Sequence, residues 1–198
     1  MKRTTMILAA VALAAASAAP ALAGWKLVPE AKPIAVAKST LTVTPGEAWN
    51  RQTYRPIKKG ELWTLDGLGL NELYFVSGLI PGETIYRDAK KKDAPLPAMR
   101  AGMQLTDLPE LFESSNRIVL NTSMFEITAT EPTTLGGQPG VKFGYRYAVQ
   151  GSPLIRRGVA VATIASGKLY LISFTAPAIH YFDRDAARAE ALMATAKI

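Results

Sequence analysis

The sequence predicts an α+β fold, with a central antiparallel sheet that ends in a C-terminal meander, covered by a mid-chain helix and a C-terminal helix. Three observations carry this. Residues 125–175 hold alternating apolar runs separated by short turns. Within them, residues 168–175 put Tyr170, Ile172 and Phe174 on one face and Leu169 and Leu171, beside Ser173 and Thr175, on the other. A strand that is apolar on both faces sits inside a sheet covered on both sides. Finally, Leu108, Leu111 and Phe112, and later Ala186, Ala189, Leu192 or Met193, and Ala196, recur at helical spacing.

The first 23 residues read as a removable leader. Lys2 and Arg3 form a basic start, residues 6–16 are apolar and Ala-rich, and Ala21-Leu22-Ala23 is an A-x-A cleavage site. The apolar run is too short to span a bilayer, so no transmembrane segment is expected after processing. The mature chain then begins at Gly24 as one domain, 24–198, large enough to bury a core unaided. There is no cysteine, so stability must come from packing rather than disulfides. The first mature residue is not the cysteine of a lipoprotein, and Lys2-Arg3 is not a twin-arginine export motif. The expected product is a soluble, Sec-exported protein of the bacterial periplasm. The formal net charge is +7 and falls by two when Lys2 and Arg3 leave. Charges of both signs alternate along the chain, as on a solvated surface. The balance leaves room for attraction to anionic lipid, lipopolysaccharide or cell-wall phosphate. Nucleic acid is excluded as a partner by compartment and by the lack of an aromatic-plus-basic array.

In order, residues 24–33 read as an extended lead-in broken by Pro29 and Pro33. A strand follows within 34–44, where Leu41 and Val43 alternate with threonines, and Trp49 lies on an irregular segment beyond Pro45-Gly46. Residues 61–65 and 71–80 are the next strands. In the second, Leu73, Phe75 and Leu79 share one side and Tyr74 and Val76 the other. Residues 87–97, with Lys90, Lys91 and Lys92 between Asp88 and Asp93, read as a solvated loop. Residues 108–115 form a short helix capped by Asp107, with Glu110 completing a capping box. The meander then runs 125–129, a turn over 131–138, 141–149, 154–164 and 168–175, with Ser166-Gly167 as a two-residue hairpin. A helix over 184–196, capped by Asp183, closes the chain.

A strand ending in Pro-Gly-x-x-Trp (residues 44–49), a mid-chain helix, the Gly-Lys-Leu-Tyr-Leu-Ile-Ser-Phe-Thr-Ala-Pro meander strand and a C-terminal helix resemble the PsbP-like α/β/α sandwich family. The resemblance covers the mature chain and lies in order and pattern. It implies a central antiparallel sheet between helices and a role in binding or assembly, since the family includes photosystem II extrinsic subunits, a nuclear-import cofactor and bacterial envelope proteins. The chain departs from it in having little helix before residue 105.

Candidate chemistry is sparse. His180 is the only histidine and there is no cysteine, so a zinc site would need carboxylates around one imidazole, and no metal or other cofactor is expected. His180 with nearby Asp183 offers the alternative of a small envelope hydrolase, but no Gly-x-Ser-x-Gly elbow or Ser-x-x-Lys occurs. The carboxylate pairs Glu110/Glu113 and Asp66/Glu72 have no specific spacing. Arg156-Arg157 is more informative, because adjacent strand residues point to opposite faces and one must face inward or lie at a sheet end. Its simple account is an ion pair with a covering helix; its sharper one is an anion contact shared with Lys142 and Arg146. The function expected is thus a non-enzymatic binding or assembly-accessory protein of the envelope. Its partner would be a protein, lipid or glycan, met through this basic face or the loops around Trp49. Carriage of an apolar ligand between sheet and helices is a further alternative.

Overall fold

The computed structural model describes residues 24–89 and 92–198. The predicted leader, and Lys90 and Lys91 of the predicted loop, lie outside them. The strands are β1 (Trp25–Val28), β2 (Ile34–Ala35), β3 (Thr42–Val43), β4 (Trp49–Gln52), β5 (Gly60–Thr64), β6 (Glu72–Leu79), β7 (Phe125–Leu135), β8 (Gln138–Ala148), β9 (Ile155–Ala165) and β10 (Lys168–Pro177), with helices α1 (Leu108–Val119) and α2 (Tyr181–Ala194). Eight strands form one sheet in the order β1-β4-β5-β6-β10-β9-β8-β7, and β2 pairs with β3 apart from it. All pairings in the large sheet are antiparallel.

The expected α+β sandwich is present, and β10 lies at its centre between β6 and β9. Tyr170, Ile172 and Phe174 face a core with Trp49, Trp63, Phe75 and, from α2, Phe182, Leu192 and Met193. Leu169 and Leu171 face a second core with Val76, Phe143, Tyr145 and, from α1, Leu108, Leu111 and Phe112. Both predicted stripes therefore bury against opposite faces of one sheet. The Ser166-Gly167 hairpin also forms, with positive φ at both residues between the pair Ala165 and Lys168, which matches the twist of the flanking strands.

Several elements differ from expectation. Residues 25–28 are not a lead-in but the edge strand β1, registered on β4 so that Val28 faces Trp49. The 34–44 strand shrinks to a two-residue hairpin because the chain turns at Val36–Lys38. The expected turn over 131–138 is only Gly136-Gly137, both at positive φ, and β7 continues through Pro132. A proline is tolerated there because β7 is an edge and its missing N–H faces solvent. Leu79 joins the α1-side core rather than that of Leu73 and Phe75. The register slips between Tyr170↔Ser77 and Leu169↔Leu79, and Gly78 at φ 76 is the extra residue of the bulge that reverses the alternation. The capping box forms one turn before α1, where the Gln104 amide donates to Asp107 Oδ2 at 2.9 Å.

Helix α2 starts at Tyr181, so Asp183 lies inside its first turn and is not its cap. A buried polar network anchors this helix. Asn71, fully buried, donates through Nδ2 to Asp66 Oδ2 (2.8 Å) and to Asp185 Oδ2 (3.0 Å), and its Oδ1 accepts from the Leu65 and Asp66 amides and the Thr64 hydroxyl. Arg184 bridges Asp66 and Asp185, and Arg188 bridges Asp185 and Glu47. The network ties α2 to the β5–β6 loop and so fixes where the helix crosses the sheet.

Candidate functional site

Eight strands at about 4.8 Å spacing span roughly 34 Å, and one helix with its side chains is about 10 Å wide. One helix cannot cover such a face. On the α2 side, the β2–β3 hairpin places Val36, Leu41 and Val43 over Trp63 and Phe75, and α2 lies on β9 and β10. Strands β7 and β8 extend beyond that cover and leave a groove of about 590 Å³. Gly144 and Val159 form its floor, Thr128 and Glu131 its outer wall, and Phe182 and Glu190 its helical wall.

Gly144 is needed there because a Cβ would lie 2.8 Å from the Thr128 hydroxyl, where β7 bulges between Ile127 and Ala129. Tyr145 covers Gly158 on the opposite face, and its hydroxyl hydrogen-bonds with Ser173 Oγ at 2.6 Å and donates to the Phe174 carbonyl at 3.2 Å. The floor is thus thin-skinned on one side and braced by a buried aromatic on the other.

The structure brings together three of the predicted cations on this groove. Arg146 and Arg157 are cross-strand partners, and Lys142 is two turns of the pleat further along β8 on the same face. Each has a carboxylate partner. Lys142 Nζ lies 2.8 Å from Glu190 and 3.3 Å from Glu131, Arg146 lies 2.7 Å from Glu126, and Arg157 lies 2.8 Å from Asp183 with its guanidinium 4.3 Å over the Phe182 ring. The hydrogen bond to Glu190 lifts the Lys142 ammonium above its usual range, against the opposing effect of partial burial. Three cations therefore meet four carboxylates. The rim is one of mixed charge, and the ion pair with a covering helix accounts for Lys142 and Arg157.

The remaining predicted residues lie elsewhere. Arg156 points to the α1 side, opposite Tyr147, where its Nη2 donates to the Gly69 carbonyl and its buried Nη1 has no partner among the described residues. Trp49 is core, 1% exposed in β4, so it offers no docking surface; tertiary cover rather than an irregular segment decides its place. His180 is exposed at φ 67, ψ −59, and the Tyr181 amide donates to the Ile179 carbonyl across it at 2.8 Å. This is the strained γ-turn of positive φ. Asp183, the residue set beside it in the hydrolase alternative, is engaged by Arg157. Glu131, Glu190 and Phe182 were not singled out from sequence. Besides the three cations, Gly144 is the groove residue whose sequence context carries a signal, since an interior strand glycine marks a close approach.

The sheet with a helix on each face is an α/β/α sandwich, and its fold is PsbP-like. Among solved structures, the chain is similar to the solution structure of cyanobacterial PsbP (CyanoP) from Synechocystis sp. PCC 6803, over 89% of this chain and 94% of that one, with a TM-score of 0.53 and 14% identity. It also aligns with the crystal structure of LpqN, involved in cell envelope biogenesis of Mycobacterium tuberculosis, over 87% and 90% of the two chains at 11% identity. There the TM-score of 0.33 is too low to establish a common fold. No family model matches the sequence, and no curated protein matches it.

Proposed function

We propose that this is an exported, non-enzymatic binding or assembly-accessory protein of the bacterial cell envelope, and that it holds a partner protein in the groove beside β7 and β8. The observation that carries this is the bare part of the sheet. An apolar floor, a bulged edge strand and a rim of exchangeable ion pairs are the makings of a docking surface, with a hydrophobic centre and a polar rim. Exposed ion pairs such as Arg157–Asp183 and Arg146–Glu126 contribute about 1 kcal/mol or less to folding, so a partner's charges can replace them at little cost. The leader-like first 23 residues support export.

The absence of cysteine makes the test direct. A single cysteine at Thr128 or Arg146 carries a cross-linker into the groove, and one at Glu110 carries it to the α1 side. In envelope extract, the groove positions are expected to give a discrete adduct that Glu110 does not, and the adduct is lost when Lys142 and Arg157 are both reversed to glutamate. Equal adducts from both faces, or none from the groove, would sink the reading. Export is checked by osmotic-shock release of a chain beginning at Gly24.

A further inference from the structure

A second surface differs from the groove in its charge. At the far end of the sheet, the β4–β5 and β6–α1 connections meet around a hollow of about 400 Å³, with Ile57, Leu79 and Leu96 among its apolar lining and Lys58, Lys59, Glu83 and Arg87 among its charged lining. Tyr54, 61% exposed, accepts a hydrogen bond at 3.0 Å from Arg87 Nη1. Arg55 Nη1 reaches the Lys58 carbonyl at 3.5 Å. Lys59 Nζ lies 2.6 Å from Glu83, whose carboxylate also accepts from the amide of Ile80 at 2.9 Å, and Ile80 is 44% exposed. Partial burial pushes the Glu83 carboxyl up, but the hydrogen bonds from Lys59 and Ile80 outweigh it and hold the group below its usual value.

The cations here outnumber the acids. Arg51 and Arg55 share the single buried carboxylate of Glu61, and Lys59 takes Glu83. Lys58 and Arg87 have no carboxylate partner among the described residues. Among the residues lining the hollow, three cations (Lys58, Lys59 and Arg87) thus meet two carboxylates (Glu83 and Asp88), where the groove has three cations and four carboxylates. Glu61, with Arg51 and Arg55, is turned to the other face, beside Trp63. The two exposed apolar side chains, Tyr54 and Ile80, stand on turns beside these cations and do not line a concave pocket.

From this we infer that the β4–β5 end is a docking surface for an anionic lipid bilayer. Cations at headgroup level attract such a surface, an amphipathic tyrosine suits the interface, and a protruding aliphatic side chain can enter the acyl boundary. Ile57, Leu79 and Leu96 line the hollow itself, whereas Lys58, Arg87, Tyr54 and Ile80 are exposed to solvent, and the two unpaired cations give charge complementarity to an anionic surface. The proposed envelope setting says only where such lipid is met. Failure here leaves the groove reading standing, and failure of the groove cross-links leaves this one standing.

The test is co-sedimentation of the mature protein with vesicles of phosphatidylethanolamine and phosphatidylglycerol, and with vesicles of phosphatidylcholine alone. Binding is expected to the first and not the second, and to weaken with salt. Lys58→Gln with Arg87→Gln should weaken it about 30-fold, at roughly a factor of five for each cation near the surface. Tyr54→Ala with Ile80→Ala should weaken it about tenfold at every salt concentration. Arg146→Gln in the groove should leave it unchanged. All these side chains are exposed, and an unchanged urea midpoint confirms that the variants fold. No binding to the anionic vesicles, or binding indifferent to the Lys58/Arg87 change, overturns the inference. Equal binding of soluble polyglutamate would also overturn it, in favour of a general polyanion surface.

Discussion

Asp185 is fully buried and holds together Asn71, Arg184 and Arg188, so its removal gives a quantitative test of how α2 is fixed. Asp185→Ala removes one buried hydrogen bond from Asn71, two charged hydrogen bonds from Arg184 and the longer ion pair with Arg188. Hydrogen bonds to a charged group are each worth about 1.5–3 kcal/mol. Stripping a fully buried ion pair costs about 3–5 kcal/mol, but the Arg184 and Arg188 side chains are 33% and 52% exposed and can rehydrate. The expected loss is therefore about 3 kcal/mol, which in a domain of this size lowers Tm by roughly 6–12 °C. Asp185→Asn keeps the shape and should cost about half as much. Burial pushes the Asp185 carboxyl up, but the hydrogen bonds from Arg184 and Asn71 outweigh this and hold it below its usual range. A depressed folded value means that its stabilisation is present above the unfolded carboxyl value, near pH 4, and is lost as pH falls further. Urea unfolding followed by tryptophan fluorescence between pH 7 and 3 measures both effects. A loss below about 1 kcal/mol for Asp185→Ala, or an Asp185→Asn variant with the wild-type acid slope, would refute the account.

Other expectations can be checked by the same unfolding measurements. Gly158→Ala would put a Cβ 2.0 Å from the Tyr145 ring, and that ring is held by Ser173 and Phe174, so a loss of about 3 kcal/mol or failure to fold is expected. Gly144→Ala meets only the Thr128 hydroxyl at 2.8 Å; adding Thr128→Ala should restore most of the lost stability, and no rescue would mean the bulge itself is disturbed. Burial pushes up the phenols of Tyr74, Tyr86, Tyr145 and Tyr147. Their stabilisation is present below the unfolded value near pH 10 and is lost as pH rises through the folded values. An alkaline absorbance titration should therefore show these four of the seven tyrosines ionising only with unfolding. His180→Gly relieves a positive φ and should be neutral or stabilising by up to about 1 kcal/mol; a marked loss would show that the imidazole makes contacts that outweigh the strain.

The long strands were legible because alternation over many residues leaves one reading of each face. β8, β9, β10 and both helical stripes carry such patterns, and Ser166-Gly167 fits a turn that requires positive φ. The four-residue strands β1 and β4 are too short to show a period. Their pairing is a tertiary event, which is why Trp49 read as a loop residue while it sits in the core. Leu79 was misplaced because one inserted glycine reverses the alternation without disturbing composition. Lys142 and Arg146 could be placed on one face from the strand period alone, but which of Arg156 and Arg157 joins them is set by the β8–β9 register. Their carboxylates could not, since Glu126, Glu131, Asp183 and Glu190 come from an edge strand and a helix whose docking the sequence does not state. Asp185 was invisible for the same reason: a carboxylate on an amphipathic helix reads as solvated until its buried partner, Asn71, is brought to it.

The central position of β10 bears on the order in which the molecule can be made. β6 pairs with residues 169–175, so the inner edge of the first half of the sheet has no partner until nearly the whole chain is available. β9 waits on the same segment from the other side. A chain delivered N-terminus first therefore holds two incomplete half-sheets, joined late by contacts distant in sequence, which slows folding. Under the export proposed above, that arrangement would delay closure until the last strand had crossed, and a chain truncated before Lys168 would be left with two unpaired hydrophobic edges.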